Sequence, residues 1–242
     1  MEAESAVQAN LAQIAAIDTQ TTQTERRKVA LPEHAELAGL SAQRTALHER
    51  VVGTQTHVSD ARAELARLES DLDVAKTRLD RDQKRLDGGV ATDAKQVASL
   101  QAEIEHLTGR VTSLEDDSLG VMQTIEDDEA ALAAMARTRE GIETQMRASI
   151  ARRDEQLGEA DAVLADLARQ RAELASTVPA DVMALYTKVA ARLGTGAANL
   201  KDGRCTGCGL QLDAVALRAA TDAPPSAIVR CDECGRILVR AA

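Results

Sequence analysis

Apolar residues recur along most of this chain at alternating steps of three and four. One run passes from Leu37 through Leu40, Leu47, Val58, Leu68 and Leu79 to Leu86, and a second from Val97 through Ile104, Leu114 and Ile142 to Met146. Each run has fifteen such positions, twelve of them apolar, which is the a/d pattern of a left-handed coiled coil held for about seven heptads. Between the runs lies Asp87-Gly88-Gly89-Val90-Ala91-Thr92-Asp93, where the glycines suit the end of one helix and Thr92 or Asp93 the N-cap of the next. Two long helices joined by so short a connection predict an antiparallel hairpin with its tip near 87–93. Looser stripes flank it, with Leu11, Ile14 and Ile17 before and Leu157, Leu164, Leu167 and Leu174 after. Pro32 removes a backbone donor and crowds the preceding turn, so a kink or a break into two helices is expected there.

Val178-Pro179 ends the second arm, and a short amphipathic helix follows with Val182, Leu185, Tyr186, Val189 and Leu193 on one face and Gly194 as its C-cap. Beyond it the composition changes, since all four cysteines lie in the last 38 residues. The organisation read from the chain is therefore a coiled-coil hairpin over 1–178 and, over 179–242, a short helix with a small β-containing module. The fold class is mainly α.

Composition agrees. Phe and Trp are absent and Tyr186 is the sole aromatic in 242 residues, which argues against a large globular core. The net charge of -10 is uneven: residues 181–242 hold eight basic against six acidic side chains, leaving -12 on the first 180. An acidic hairpin repels phosphate backbones, so any nucleic-acid contact belongs to the C-terminal module. No stretch is apolar enough to span a membrane and Met1 opens on a polar, acidic segment, so a cytoplasmic protein is expected.

Cys205, Cys208, Cys231 and Cys234 form C-x2-C-x22-C-x2-C, with Gly209 and Gly235 after the two pairs. Two residues between cysteines let one tight turn aim both sulfurs at one ion. Two such turns supply the tetrahedral four-sulfur set that Zn2+ prefers, and the glycines allow the positive φ that turns amide N–H groups toward the thiolates. Structural zinc is the reading; rubredoxin-like iron and disulfides are the alternatives. Four protein ligands leave no open position for water, so the ion is not expected to be catalytic.

Here the chain resembles the bacterial C4-type zinc ribbon proteins with a long N-terminal coiled coil. The resemblance is carried by Cys205-Thr-Gly-Cys208, by Cys231-Asp-Glu-Cys234-Gly235-Arg236-Ile237-Leu238 and by the helix from Pro179 to Tyr186. Where that family often has Tyr and Pro, this chain has Val239 and Asp213. The resemblance implies an adaptor whose clients are secretion- or flagellar-type machinery or transcription factors, with RNA in some members.

Other motifs carry less. Gly194-Thr195-Gly196 follows a helix instead of a strand and reads as a cap and turn, not a dinucleotide fingerprint. His34, His48, His57 and His106 read as solvated helix residues. Polar seam residues (Arg44, Thr54, Asp82, Ser118, Asp128, Arg139) read as defects whose side chains reach water. Lys201, Arg204, Arg218, Arg230, Arg236 and Arg240 form a candidate basic patch, nearly balanced by acids. No catalytic or cofactor-binding residue is picked out, and the expectation is a non-enzymatic, zinc-binding adaptor, with a nucleic-acid-binding regulator as the alternative.

Overall fold

The computed structural model describes residues 1–89 and 93–240. Its element order is α1 (Ser5–Val29), α2 (Pro32–Asp87), α3 (Ala94–Ser176), α4 (Ala180–Leu193), β1 (Ala197–Lys201), β2 (Arg204–Cys205), α5 (Ala214–Asp222), β3 (Val229–Arg230) and β4 (Ile237–Arg240). The chain is a long helical hairpin with a small C-terminal strand-containing module, as the pattern of apolar positions predicts. It groups into two compact units, one of Glu36–Ala148 and one that joins Met1–Ala35 to Ser149–Ala242. The boundary expected at 178/179 falls inside the second of these.

In the unit Glu36–Ala148, α2 and α3 pair antiparallel through the a/d seam. Leu40 and Leu47 bury against Ile142, while Leu68 and Ala75 bury against Leu114. Opposed charges confirm the sense of the pairing, Arg62 meeting Glu129 and Lys76 meeting Glu115. Gly89, at φ +63, takes the left-handed conformation that ends α2. Asp93 caps α3, its Oδ1 accepting the Gln96 amide at 2.7 Å; Thr92, the other candidate, lies outside the described residues.

Two polar seam residues depart from expectation. Asp82 and Ser118 are buried instead of reaching water. Ser118 satisfies its hydroxyl by donating to the Leu114 carbonyl one turn back. Asp82 draws Arg81 to 3.0 Å and Arg85 to 3.6 Å over the edge of the seam. The hydrogen bond from Arg81 holds the Asp82 carboxyl below the usual carboxylate range. A depressed native pKa stabilises above the unfolded value near ~4 and is lost as pH falls through the native one. The hairpin therefore loses stability on acidification below about pH 4. Asp82→Leu, which fills a d position with the side chain the seam prefers, should raise the melting temperature at neutral pH and flatten that acid slope. Thermal melts across pH 3 to 7 read both effects.

In the other unit, Pro32 separates two helices: α1 ends at Val29 and Pro32 opens α2, where its missing N–H costs nothing. Helix α1 runs antiparallel to the last turns of α3, with Lys28 on Asp161 and Asp18 on Arg171. Helix α4 follows Pro179 and ends on Gly194 in the left-handed conformation, φ 81. The strands form one sheet in the order β2-β1-β4-β3, with β1 and β4 parallel, Ala197 opposite Ile237, and both outer pairs antiparallel.

The core of this unit has two parts. In one, Leu11 and Ile14 of α1 meet Val178, Val182, Tyr186, Ala197, Ile237 and Val239. Val239 is thus a core residue on α1. In the other, Ala198, Leu212, Ala220 and Leu238 surround the cysteines. The first residues of the chain join in, since Ala3 N–H donates to the Ser226 carbonyl at 2.7 Å and the buried Gln8 amide donates to Ala3 and Pro225 carbonyls.

Candidate metal centre

Two tight turns build the site. The first lies between β2 and Leu212, where Gly209 N–H donates to the Cys205 carbonyl at 2.8 Å; the second precedes β4, where Gly235 N–H donates to the Cys231 carbonyl at 2.7 Å. Both glycines have positive φ, 76 and 77, as the turn after the second cysteine of each pair requires. The parallel pairing of β1 with β4 and the β-bridge of Arg204 to Gln211 hold the two turns side by side.

All four Sγ atoms lie within 4.8 Å of one another. Cys205 and Cys234 are 3.9 Å apart, as are Cys208 and Cys231. A tetrahedron with metal–sulfur bonds of ~2.3 Å has edges of ~3.8 Å, which these two distances match, so the four sulfurs could hold a metal ion. A disulfide needs sulfurs ~2.05 Å apart, which neither close pair approaches.

The protonation states point the same way. Burial pushes the Cys205 thiol up to about 12 against the pull of the Gly207 and Cys208 amides, and it raises Cys231 as well. At Cys234 burial also opposes ionisation but is outweighed by the amide and side chain of Arg236 and by the neighbouring thiols, which together bring it down to about 7. Four thiolates so close together, two of them buried, are unfavourable alone; a dication among them supplies the missing charge, and its binding expels protons.

Around the cage, Arg236 is pinned, donating to the Thr195 hydroxyl at 3.0 Å and the Leu193 carbonyl at 2.9 Å. It lies over Gly207, where an added Cβ would sit 2.6 Å from Arg236 Cδ, so this turn is closed by a side chain from the other. Arg240 is likewise structural, its guanidinium donating to carbonyls from Ala220 to Ala227 and so ending α5. Of the candidate basic patch, then, two members are internal ties. Asp213 caps α5 by accepting the Val215 and Ala216 amides. His57, read as a solvated residue, is exposed yet pairs with Asp128 across the hairpin at 2.5 Å.

Sequence reasoning located the cysteines and missed what they rest on. Asp18 of α1 accepts from Tyr186 Oη and from Arg171 Nε, both at 2.6 Å, tying α1, α3 and α4 beneath β1. Gly196 lets that ring approach: a Cβ there would lie 2.6 Å from Tyr186 Cγ. Only the conjunction of an unpaired mid-helix acid with the lone aromatic hinted at this contact, and 168 residues separate them.

Fold and site together define a helical-hairpin protein with a four-cysteine centre competent to hold a metal. The chain belongs to the family of the CT398-like coiled coil hairpin domain, whose model matches residues 14–194, ending before Cys205. It is 33% identical over 240 residues to Rv2229c of Mycobacterium tuberculosis, covering 99% of this chain and 98% of that one. A solved structure from Mycobacterium smegmatis superposes with a TM-score of 0.86 at 31% identity over the full length of both chains. CT398 from Chlamydia trachomatis shares the fold at 16% identity, with a TM-score of 0.72 over 97% of this chain and 98% of that one. No helix of the described residues is long and apolar enough to cross a membrane.

Proposed function

We propose that this chain is a non-enzymatic adaptor of the cytoplasm, whose hairpin presents protein-binding surface and whose C-terminal module is a zinc ribbon held by Cys205, Cys208, Cys231 and Cys234. One observation carries the adaptor reading: in the unit Glu36–Ala148, α2 and α3 bury a single narrow seam against each other and leave their remaining faces exposed, with apolar Val52, Val74, Leu119 and Met122 among them. Zinc is the metal because a soft, all-thiolate, tetrahedral set selects it, and the closed shell assigns it a structural role. The clients in this reading are proteins, of the secretion- or flagellar-type or transcription-factor kinds that the resemblance implies.

A photo-crosslinking amino acid placed at Ser70 or Gln123 in the full chain, in cells, tests it. Discrete, position-dependent protein adducts are expected. Their absence from every hairpin position defeats the adaptor reading.

One observation favours nucleic-acid binding as the second reading. Exposed Arg192 and Arg230 converge on the second cysteine turn, donating to the Cys234 and Gly235 carbonyls at 3.5 and 3.0 Å. Phosphate contacts there would give binding by the full chain that weakens steeply with salt and is lost with both arginines. The fragment 179–242 is unsuited to that assay, because Tyr186 and Ile237 would lose Leu11 and Ile14.

A further inference from the structure

One lateral face of the unit Glu36–Ala148 differs from the rest of its surface. In the heptads set by the seam, Arg62, Glu69 and Lys76 each follow a d residue of α2, and Glu115, Met122 and Glu129 each follow a d residue of α3. In an antiparallel pair these positions share one side. The salt bridges Lys76–Glu115 at 2.7 Å and Arg62–Glu129 at 2.5 Å confirm it, and both basic side chains of this face are spent in them.

Between the two bridges, Leu119 is 63% exposed and Met122, one turn on, 44% exposed. Around them stand Glu69, Asp73 and Glu126, all exposed, and none of the three has an ion-pair partner among the described residues. The imbalance is large. Residues 60–76 and 115–129 carry twelve acidic against three basic side chains, so -9 of the chain's -10 resides in these two short stretches.

We propose that this face docks a basic amphipathic helix of a partner protein, its apolar side on Leu119 and Met122 and its lysines or arginines against Glu69, Asp73 and Glu126. An exposed leucine beside an adaptable methionine offers an apolar ridge, and the unpaired carboxylates select the sign of what lies beside it. A second copy of this chain would bring the same acidic belt and be repelled, as would a nucleic acid or an anionic lipid surface. The proposal deepens the adaptor reading and rests on it. Failure of the two is separable, since loss of in-cell protein adducts defeats the adaptor, whereas the following assay addresses this face alone.

The probe is a fluorescein-labelled synthetic helix of about five turns with leucine on one face and lysine elsewhere, titrated with the full chain and read by anisotropy. Its mirror in charge, with glutamate for lysine, is the second probe. The lysine peptide is expected to bind, more weakly as salt rises, and the glutamate peptide not to bind. Leu119→Ser with Met122→Ser should weaken binding about tenfold or more, and Glu69→Lys with Glu126→Lys equally. Asp117→Lys with Asp127→Lys makes the same change in net charge on the other side of α3 and should stay within about twofold. Circular dichroism confirms that these surface variants remain helical. No binding, equal binding by the two peptides, equal loss in both charge variants, or self-association abolished by the Leu119 and Met122 changes would each overturn the proposal.

Discussion

Stripping the metal from the full chain, or replacing Cys208 or Cys234 with serine, is expected to open the C-terminal module to protease while the hairpin keeps its helical signal. The module's second core cluster buries Ala198, Leu212, Ala220 and Leu238 around Cys205 and Cys231, with Leu200, Leu217 and Val229 only partly buried at its edge and no aromatic side chain. So small a core does not fold by itself, and structural zinc supplies apparent binding free energies of ~10–16 kcal/mol in comparable modules. The seam of α2 and α3 contains no cysteine and loses nothing. The cluster of Leu11, Ile14, Val182 and Tyr186 also contains no cysteine; it shares Ala197, Ile237 and Val239 with the sheet, so its strand side should loosen while α4 stays on α1. The first cuts should therefore fall between Gly203 and Gly235. Far-UV circular dichroism with limited proteolysis reads both halves of the prediction, and a stripped module that stays protease-resistant contradicts it.

Tyr186 is the second place where a single change should have a large effect. Its ring is fully buried among residues of α1, α4, β1 and β4, and its hydroxyl donates to Asp18. Burial and then Asp18 raise the phenol's pKa, so it stays a neutral donor throughout the physiological range. Tyr186→Phe keeps the packing but takes one partner from a largely buried carboxylate, a loss of ~1–3 kcal/mol. Tyr186→Ala removes the ring as well and should cost ~3–5 kcal/mol. Denaturant unfolding of the zinc-loaded chain measures both. If the two variants unfold alike, the ring's packing is not what joins α1 to the module.

The parts legible in the sequence are those that local chemistry repeats or confines. Heptads from Leu37 to Leu86 and from Val97 to Met146 announced the pairing of α2 and α3, because a two-helix seam must show an apolar residue at every a/d step. Pro32 announced the break, and the two C-x2-C turns announced the sulfur cage with their own glycines. What stayed hidden depends on contacts between distant segments. The stripe Leu11, Ile14 and Ile17 reads as another coiled-coil face, yet in the fold its Leu11 and Ile14 belong to the core shared with β1 and β4. The pairing of Glu2 with Ala227 leaves no periodic trace. Helix α5 is nine residues between cysteine pairs, too short for its pattern to outweigh the surrounding turns. Asp82 and Ser118 were expected at the water's edge; a neighbouring guanidinium and a backbone carbonyl allow them inside.

Whether four cysteines close on one structural zinc is read most directly by native mass spectrometry of the full chain purified under reducing conditions without added metal. One zinc per chain is expected, released only on acidification or chelation, with four titratable thiols appearing as the metal leaves. A chain of apo mass that carries two disulfides, or four free thiols and no bound metal, would contradict it.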